Sequence, residues 1–144
     1  MVRIAQKEDI PTLAQLALCL WGNHSLCDLE EEFSRILSRG NACFFLKYHQ
    51  EQPVGFAQCQ LRTDYVEGTH SSPVGYLEGI YVAEAFRGRG YAKELLSHCE
   101  SWARSQGCRE FASDCSLENQ KSFLFHQALH FQEAGRIICF TKNL

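Results

Sequence analysis

No run of apolar residues in the chain approaches the roughly 18 needed to span a bilayer, so no membrane span is expected. Positive charge is not in excess either. Lysine and arginine number 14 against 17 aspartates and glutamates, a net charge of -3, which argues against a general nucleic-acid surface. The eight cysteines form no C-x-x-C pair and match no zinc spacing, so no metal is expected. Several sit in apolar runs such as ACFF and ICF, where a thiol acts as a small hydrophobe. Free thiols in a reducing compartment are the expectation. The first residues, MVRIAQKEDI, lack an apolar signal segment, and a cytoplasmic protein is expected. There is no internal repeat, low-complexity tract or linker, so 1–144 reads as one domain.

What is present is organised around 76–96, YLEGIYVAEAFRGRGYAKELL. A strand-like apolar run meets a basic, glycine-rich turn, and a helix patterned by Ala92, Leu95, Leu96, Cys99, Trp102 and Ala103 follows. The first amides of such a helix lack intrahelical acceptors and suit phosphate oxygens. Gly88 and Gly90 permit close approach or unusual dihedrals, and Arg87 and Arg89 add charge. The turn is neither a dinucleotide G-x-G-x-x-G nor a P-loop.

The remaining pattern predicts strands over 2–6, 42–48, 53–61, 74–82, 109–115 and 137–142, with one more short strand possible around 131–134. Helices are expected after Asp9 as a cap, after Ser25, after the basic turn, and from about 120 to 129. HQEQ marks a hairpin turn, and 62–73 a polar loop. This β-α-α-β-β-β-α-β-α-β order implies an α/β (α+β) fold, a mixed sheet covered by helices.

Arg87, Gly90 and Ala92 fill the three defined positions of an R-x-x-G-x-[GA] signature, and the chain resembles the GCN5-related N-acetyltransferases over nearly its whole length. The blocks YLEGIYV, FRGRG, EFASDCSLEN and RIICF further resemble the aminoglycoside 6'-N-acetyltransferases of bacterial resistance. The resemblance implies a mostly antiparallel mixed sheet in a single domain, acetyl-CoA as cosubstrate, and a homodimer. It places the pyrophosphate on Arg87, Gly88, Arg89, Gly90, Tyr91, Ala92 and Lys93. The pantetheine arm would run along Ile80, Tyr81 and Val82, with Asn119 after the next strand. The family's late helix often carries a tyrosine that protonates the departing thiolate; His126 stands there instead, and His130 replaces a usual glycine.

For the acceptor, Glu78 and Asp114 are expected near two adjacent strand ends, where carboxylates pair with ammonium groups. Either is a candidate proton acceptor. Trp21, His24 and Tyr65 are candidate walls for a cationic sugar, joined by the edge of the acidic run Glu30–Glu32, although Trp21 can equally complete the first helix's apolar side and the run can equally be a solvated helix face. Asp64, Glu67 and Glu118 would enlarge the negative surface, or simply be solvated. Cys115 beside Asp114 invites an acyl-enzyme, but neighbours on a strand face opposite ways, so direct transfer is favoured. The alternatives are an acetyltransferase for a polyamine or a protein N-terminus, and a coenzyme A-binding sensor with weak catalysis.

Overall fold

The computed structural model describes residues 1–144. Its strands are β1 (Val2–Ile4), β2 (Ala42–His49), β3 (Gln52–Arg62), β4 (Val74–Val82) and β5 (Phe111–Ser113). Its helices are α1 (Ile10–Leu18), α2 (Leu26–Arg39), α3 (Tyr91–Ser105) and α4 (Gln120–Ala128). The strands form one sheet in sequence order, antiparallel throughout except for the parallel β4–β5 pair. No helix is long and apolar enough to cross a membrane.

Alternation along the strands fills both faces of the sheet. Phe44, Leu46 and Phe56 pack with Leu13, Ala14 and Ala17 of α1 and Leu29 and Phe33 of α2. On the other face, Cys43, Phe45, Ala57, Cys59 and Leu77 meet Leu95, Leu96 and Cys99 of α3. A strand covered on both faces reads as an unbroken apolar run, which is why ACFFL shows no polar alternation. Each buried phenylalanine contributes about 1.5–3 kcal/mol. All eight cysteines are free, and Cys43, Cys59, Cys99 and Cys108 are buried.

The cap at Ser25 is as expected: its side chain accepts from the Asp28 amide at 3.1 Å, and α2 stops at left-handed Gly40. Asp9 does not cap α1. Its carboxylate instead accepts from the Gln6 amide and pairs with Arg3 at 2.7 and 2.8 Å, which ties β1 to the start of α1. These bonds hold the Asp9 carboxyl below its usual range, the Arg3 bond being the larger cause and outweighing a smaller burial cost.

Two irregularities in β4 shape the site. Gln58 pairs with Gly79 but Cys59 pairs with Leu77, so Glu78 is the extra residue of a β-bulge. Pairing with β5 also ends early, at Leu77 opposite Ser113, and beyond it the two strands part. The expected strand 109–115 is therefore only the three residues of β5, because parallel pairing lasts no longer.

The expected strand at 137–142 is not formed, nor is one at 131–134. Residues 132–144 carry no secondary structure and are exposed. A strand is a paired state, and in the single chain this segment has no neighbouring strand to bond with. Ile137, Ile138 and Phe140 remain 76%, 82% and 88% exposed.

Candidate acyl-transfer site

The turn between β4 and α3 is built to receive an anion. Gly88 and Gly90 have φ of 75° and 80°, and a Cβ at either would meet nothing within 4 Å. Glycine is needed there for the left-handed backbone, not for space. No backbone carbonyl of the chain accepts from the amides of residues 88–93. Six successive amides without a backbone acceptor at a helix N-terminus are donors available to an anion such as a pyrophosphate.

The side chains around the cradle divide their work. Arg87 donates through Nε to the Val82 carbonyl at 2.9 Å, bracing the turn against β4. Arg89 lies over Phe86 and Lys93 is exposed. Tyr91 turns inward: its hydroxyl is 2.6 Å from Nδ1 of His49, and the Lys47 ammonium sits 4.1 Å from its ring centroid. Lys47 also bonds Glu94 at 2.5 Å. Tyr91 thus offers the cradle an amide, while its ring anchors the helix. Sequence reasoning missed this anchor; its one local sign was a lysine closing the apolar run ACFFLK.

Beyond Leu77, β4 has no partner on its β5 side. Ile80 and Val82 face α3 from this stretch, Tyr81 faces α1 and α2, and their backbone edge lines the opening. The bulge turns Glu78 to the face that carries Trp21. There a cavity of about 240 Å³ is bordered by Trp21, His24, Glu32, Gln58 and Glu78, with Leu29 and Phe33 at its base. Trp21 serves packing and cavity together. Its ring lies edge-on to Phe33 and Phe56, and a Cβ on Gly79 would come within 2.6 Å of it. Glu32 belongs to the acidic run Glu30–Glu32, which the sequence left open as a solvated helix face or, with Trp21 and His24, a wall for a cation; Gln58 was not foreseen, because nothing local distinguishes a cavity-facing glutamine from a solvated one.

The two carboxylates are linked. Arg62 clasps Glu78 through Nε and Nη2 at 2.9–3.0 Å, and its guanidinium lies 3.5 Å from the Tyr76 ring centroid. The Tyr76 hydroxyl in turn donates to Asp114. Burial raises the Glu78 carboxyl above its usual range, and Arg62 pulls part of that back. Burial, then the bond to Asp114, raises the Tyr76 phenol and keeps it a donor. Neither Arg62 nor Tyr76 was singled out from the sequence, since each acts across strands.

The other expected residues are less directly placed. His126 has Nδ1 at 2.6 Å from the Ser122 carbonyl and Nε2 at 2.8 Å from Ser113 Oγ. Ser113 also donates to the Leu77 carbonyl at 3.2 Å, so it links His126 to the last paired residue of β4. Asn119 caps α4 by accepting from the Ser122 amide at 3.1 Å, which leaves its NH2 free to donate. His130 has φ of 67°, the left-handed position expected where the resemblance has glycine. Tyr65 is exposed; its hydroxyl is 3.5 Å from Glu67, and it does not border the cavity. No group of three or more His, Cys, Asp or Glu side chains is arranged to hold a metal ion.

The cradle's dependence on left-handed glycine is testable. Gly90→Ala forces an L-residue into that conformation at about 1–2 kcal/mol. Coenzyme A binding by calorimetry is expected to weaken about five- to thirtyfold. Unchanged affinity would show that the turn's dihedrals do not set the cradle.

Known proteins share this fold and much of this sequence. The profile of the acetyltransferase (GNAT) family matches residues 10–131. An aminoglycoside N(6')-acetyltransferase type 1 from Stenotrophomonas maltophilia is 40% identical over 144 residues, covering 99% of this chain and 93% of the relative. Among solved structures, the aminoglycoside N-acetyltransferase AAC(6')-Iy in complex with CoA superposes with a TM-score of 0.96 at 38% identity, over 100% of this chain and 95% of that one. The same enzyme with the bisubstrate analogue CoA-S-monomethyl-acetylneamine gives a TM-score of 0.94 at 38% identity, over 100% and 98%. The profile match, the level of identity and the shared fold lead to one conclusion: the chain belongs to the acetyltransferase (GNAT) family.

Proposed function

We propose that the chain, as one acetyltransferase unit over 1–144, transfers acetyl from acetyl-CoA to the 6'-amine of aminoglycosides in the cytoplasm. The observation that carries this reading is the junction of two unlike sites at one strand opening. The amide cradle lies at one end of β4, and the cavity of Trp21, Glu32, Gln58 and Glu78 borders the bulge in the same strand. Relatives that resemble the whole chain carry that activity in their names. The eight free thiols support a reducing compartment.

Acetyl-CoA supplies the activated acyl group. Amides 88–93 hold its pyrophosphate, and the unpaired edge of β4 past Leu77 aligns the arm. Glu78 and Asp114 bind and orient the acceptor's ammonium groups, and Trp21 covers an apolar sugar face. His24, at the cavity rim, contributes to the acceptor wall, and Tyr65 reaches it only if its loop moves.

The reacting ammonium must first lose a proton. Anionic surroundings alone would raise its pKa, so a defined acceptor is needed. Glu78, made more basic by burial, and Asp114, exposed at the opening, are that pair. A β4 amide beyond Leu77 stabilises the developing oxyanion. Protonation of the departing thiolate is assigned to His126 acting through Ser113.

A homodimer completes the reading. The exposed run RIICF has strand character but no pairing partner, and β5 ends the sheet with an open edge. A second copy offers each what the single chain lacks.

Two measurements test these proposals. Purified protein is expected to add one acetyl group, seen by mass spectrometry, to aminoglycosides with a 6'-amine. Acetylation only of compounds lacking that amine would reject the specificity. Ile138→Asp changes a side chain already exposed in the single chain, so it is expected to preserve folding while shifting the light-scattering mass from dimer to monomer. A wild-type protein of monomer mass would refute the dimer.

A further inference from the structure

Arg62 already occupies the place where a cationic acceptor would bind. It is the last residue of β3, and its side chain is 40% exposed, against 22% for Glu78. Its Nε and Nη2 take both Glu78 oxygens, and its guanidinium carbon sits over the Tyr76 ring, 3.5 Å from the centroid. A carboxylate beside an aromatic face is the general protein receptor for an organic cation. Glu78 both borders the cavity and belongs to this receptor. Among the ion pairs of the chain, its one cationic partner is Arg62.

Adding a polycation creates a conflict. An incoming ammonium group that reaches Glu78 meets a guanidinium already there. Binding beside Arg62 places like charges together, whereas binding in its place keeps Glu78 paired throughout. Leaving the carboxylate unpaired in this half-buried wall would be costly. Arg62 itself loses little by leaving, because a partly exposed ion pair is worth only about 0–1 kcal/mol and water can solvate the released guanidinium.

We infer that Arg62 is an exchangeable internal counter-ion of Glu78, displaced by an ammonium group of the acceptor, and that it thereby determines specificity. A neutral acceptor cannot replace a guanidinium on a carboxylate, so it finds this part of the site closed. A polyamine sugar supplies the substitute charge. The exchange also leaves Tyr76 free to face the sugar while its hydroxyl still holds Asp114. This inference rests on the aminoglycoside reading and adds a residue to it.

The test is calorimetric binding of neamine to the full-length protein saturated with coenzyme A. Arg62→Ala removes the internal competitor, so neamine is expected to bind about two- to fivefold more tightly, the effect of removing a pair of this strength. In a Glu78→Gln background, Arg62→Ala is expected to change affinity less than twofold, because there is no longer a carboxylate to contest. Weaker or unchanged binding by Arg62→Ala at wild-type melting temperature would overturn the inference and leave the acceptor reading intact. If Arg62→Ala lowers the melting temperature, Arg62→Lys decides the matter. It keeps the charge but loses the two-nitrogen clasp. Tighter binding supports exchange, and weaker or equal binding rejects it. Wild-type protein that neither binds nor acetylates neamine would overturn the acceptor reading, and this inference with it.

Discussion

The early end of the β4–β5 pairing is the constraint on which the site depends. Three parallel pairs hold the strands together, from Gly75 with Phe111 to Leu77 with Ser113. Past that point β4 keeps its β3 partner but has a bare edge on the other side. The bare edge is available to an extended ligand, and Glu78 and Asp114 stand just beyond the last pair. The bulge acts with this opening. By inserting Glu78 opposite Gln58, it turns a carboxylate toward the cavity without breaking the strand's later packing on α3.

The two halves of the site use different physics. The cradle relies on backbone amides fixed by left-handed glycines, and its side chains mainly brace it: Arg87 against Val82, and Tyr91 against Lys47 and His49. The proposed acceptor half relies on side-chain charge. Its carboxylates are joined through Arg62 and Tyr76, so a change at one is felt at the other. Backbone recognition suits a cosubstrate that is always the same. Side-chain recognition suits an acceptor whose charges must be matched.

Legibility in the sequence followed this division. The strand, basic turn and helix over 74–105 were read correctly because each signal is local: apolar pattern, glycine spacing and helical period. Ser25 was equally plain as a helix boundary. The bulge at Glu78 was invisible, since it exists only in the register between two strands. Arg62 lies sixteen residues from Glu78 and was hidden for the same reason. Asp9 satisfied every local rule for a cap yet found a better partner in Arg3. The run RIICF has strand composition, but composition cannot supply a neighbour, and in the single chain it has none. His126 lies on the helix expected over 120–129, while its link to Ser113 depends on how α4 docks against β5.

The central claim is that one strand opening joins a backbone site for the donor to a carboxylate site for the acceptor. A crystal structure of this chain with a coenzyme A–aminoglycoside bisubstrate analogue tests it most directly. The account predicts pyrophosphate oxygens within hydrogen-bond distance of amides 88–93. It also predicts the linked nitrogen at the β4–β5 opening, with another amine of the sugar on Glu78 or Asp114. Sugar amines bound away from both carboxylates, with the pyrophosphate seated in the cradle, would contradict it.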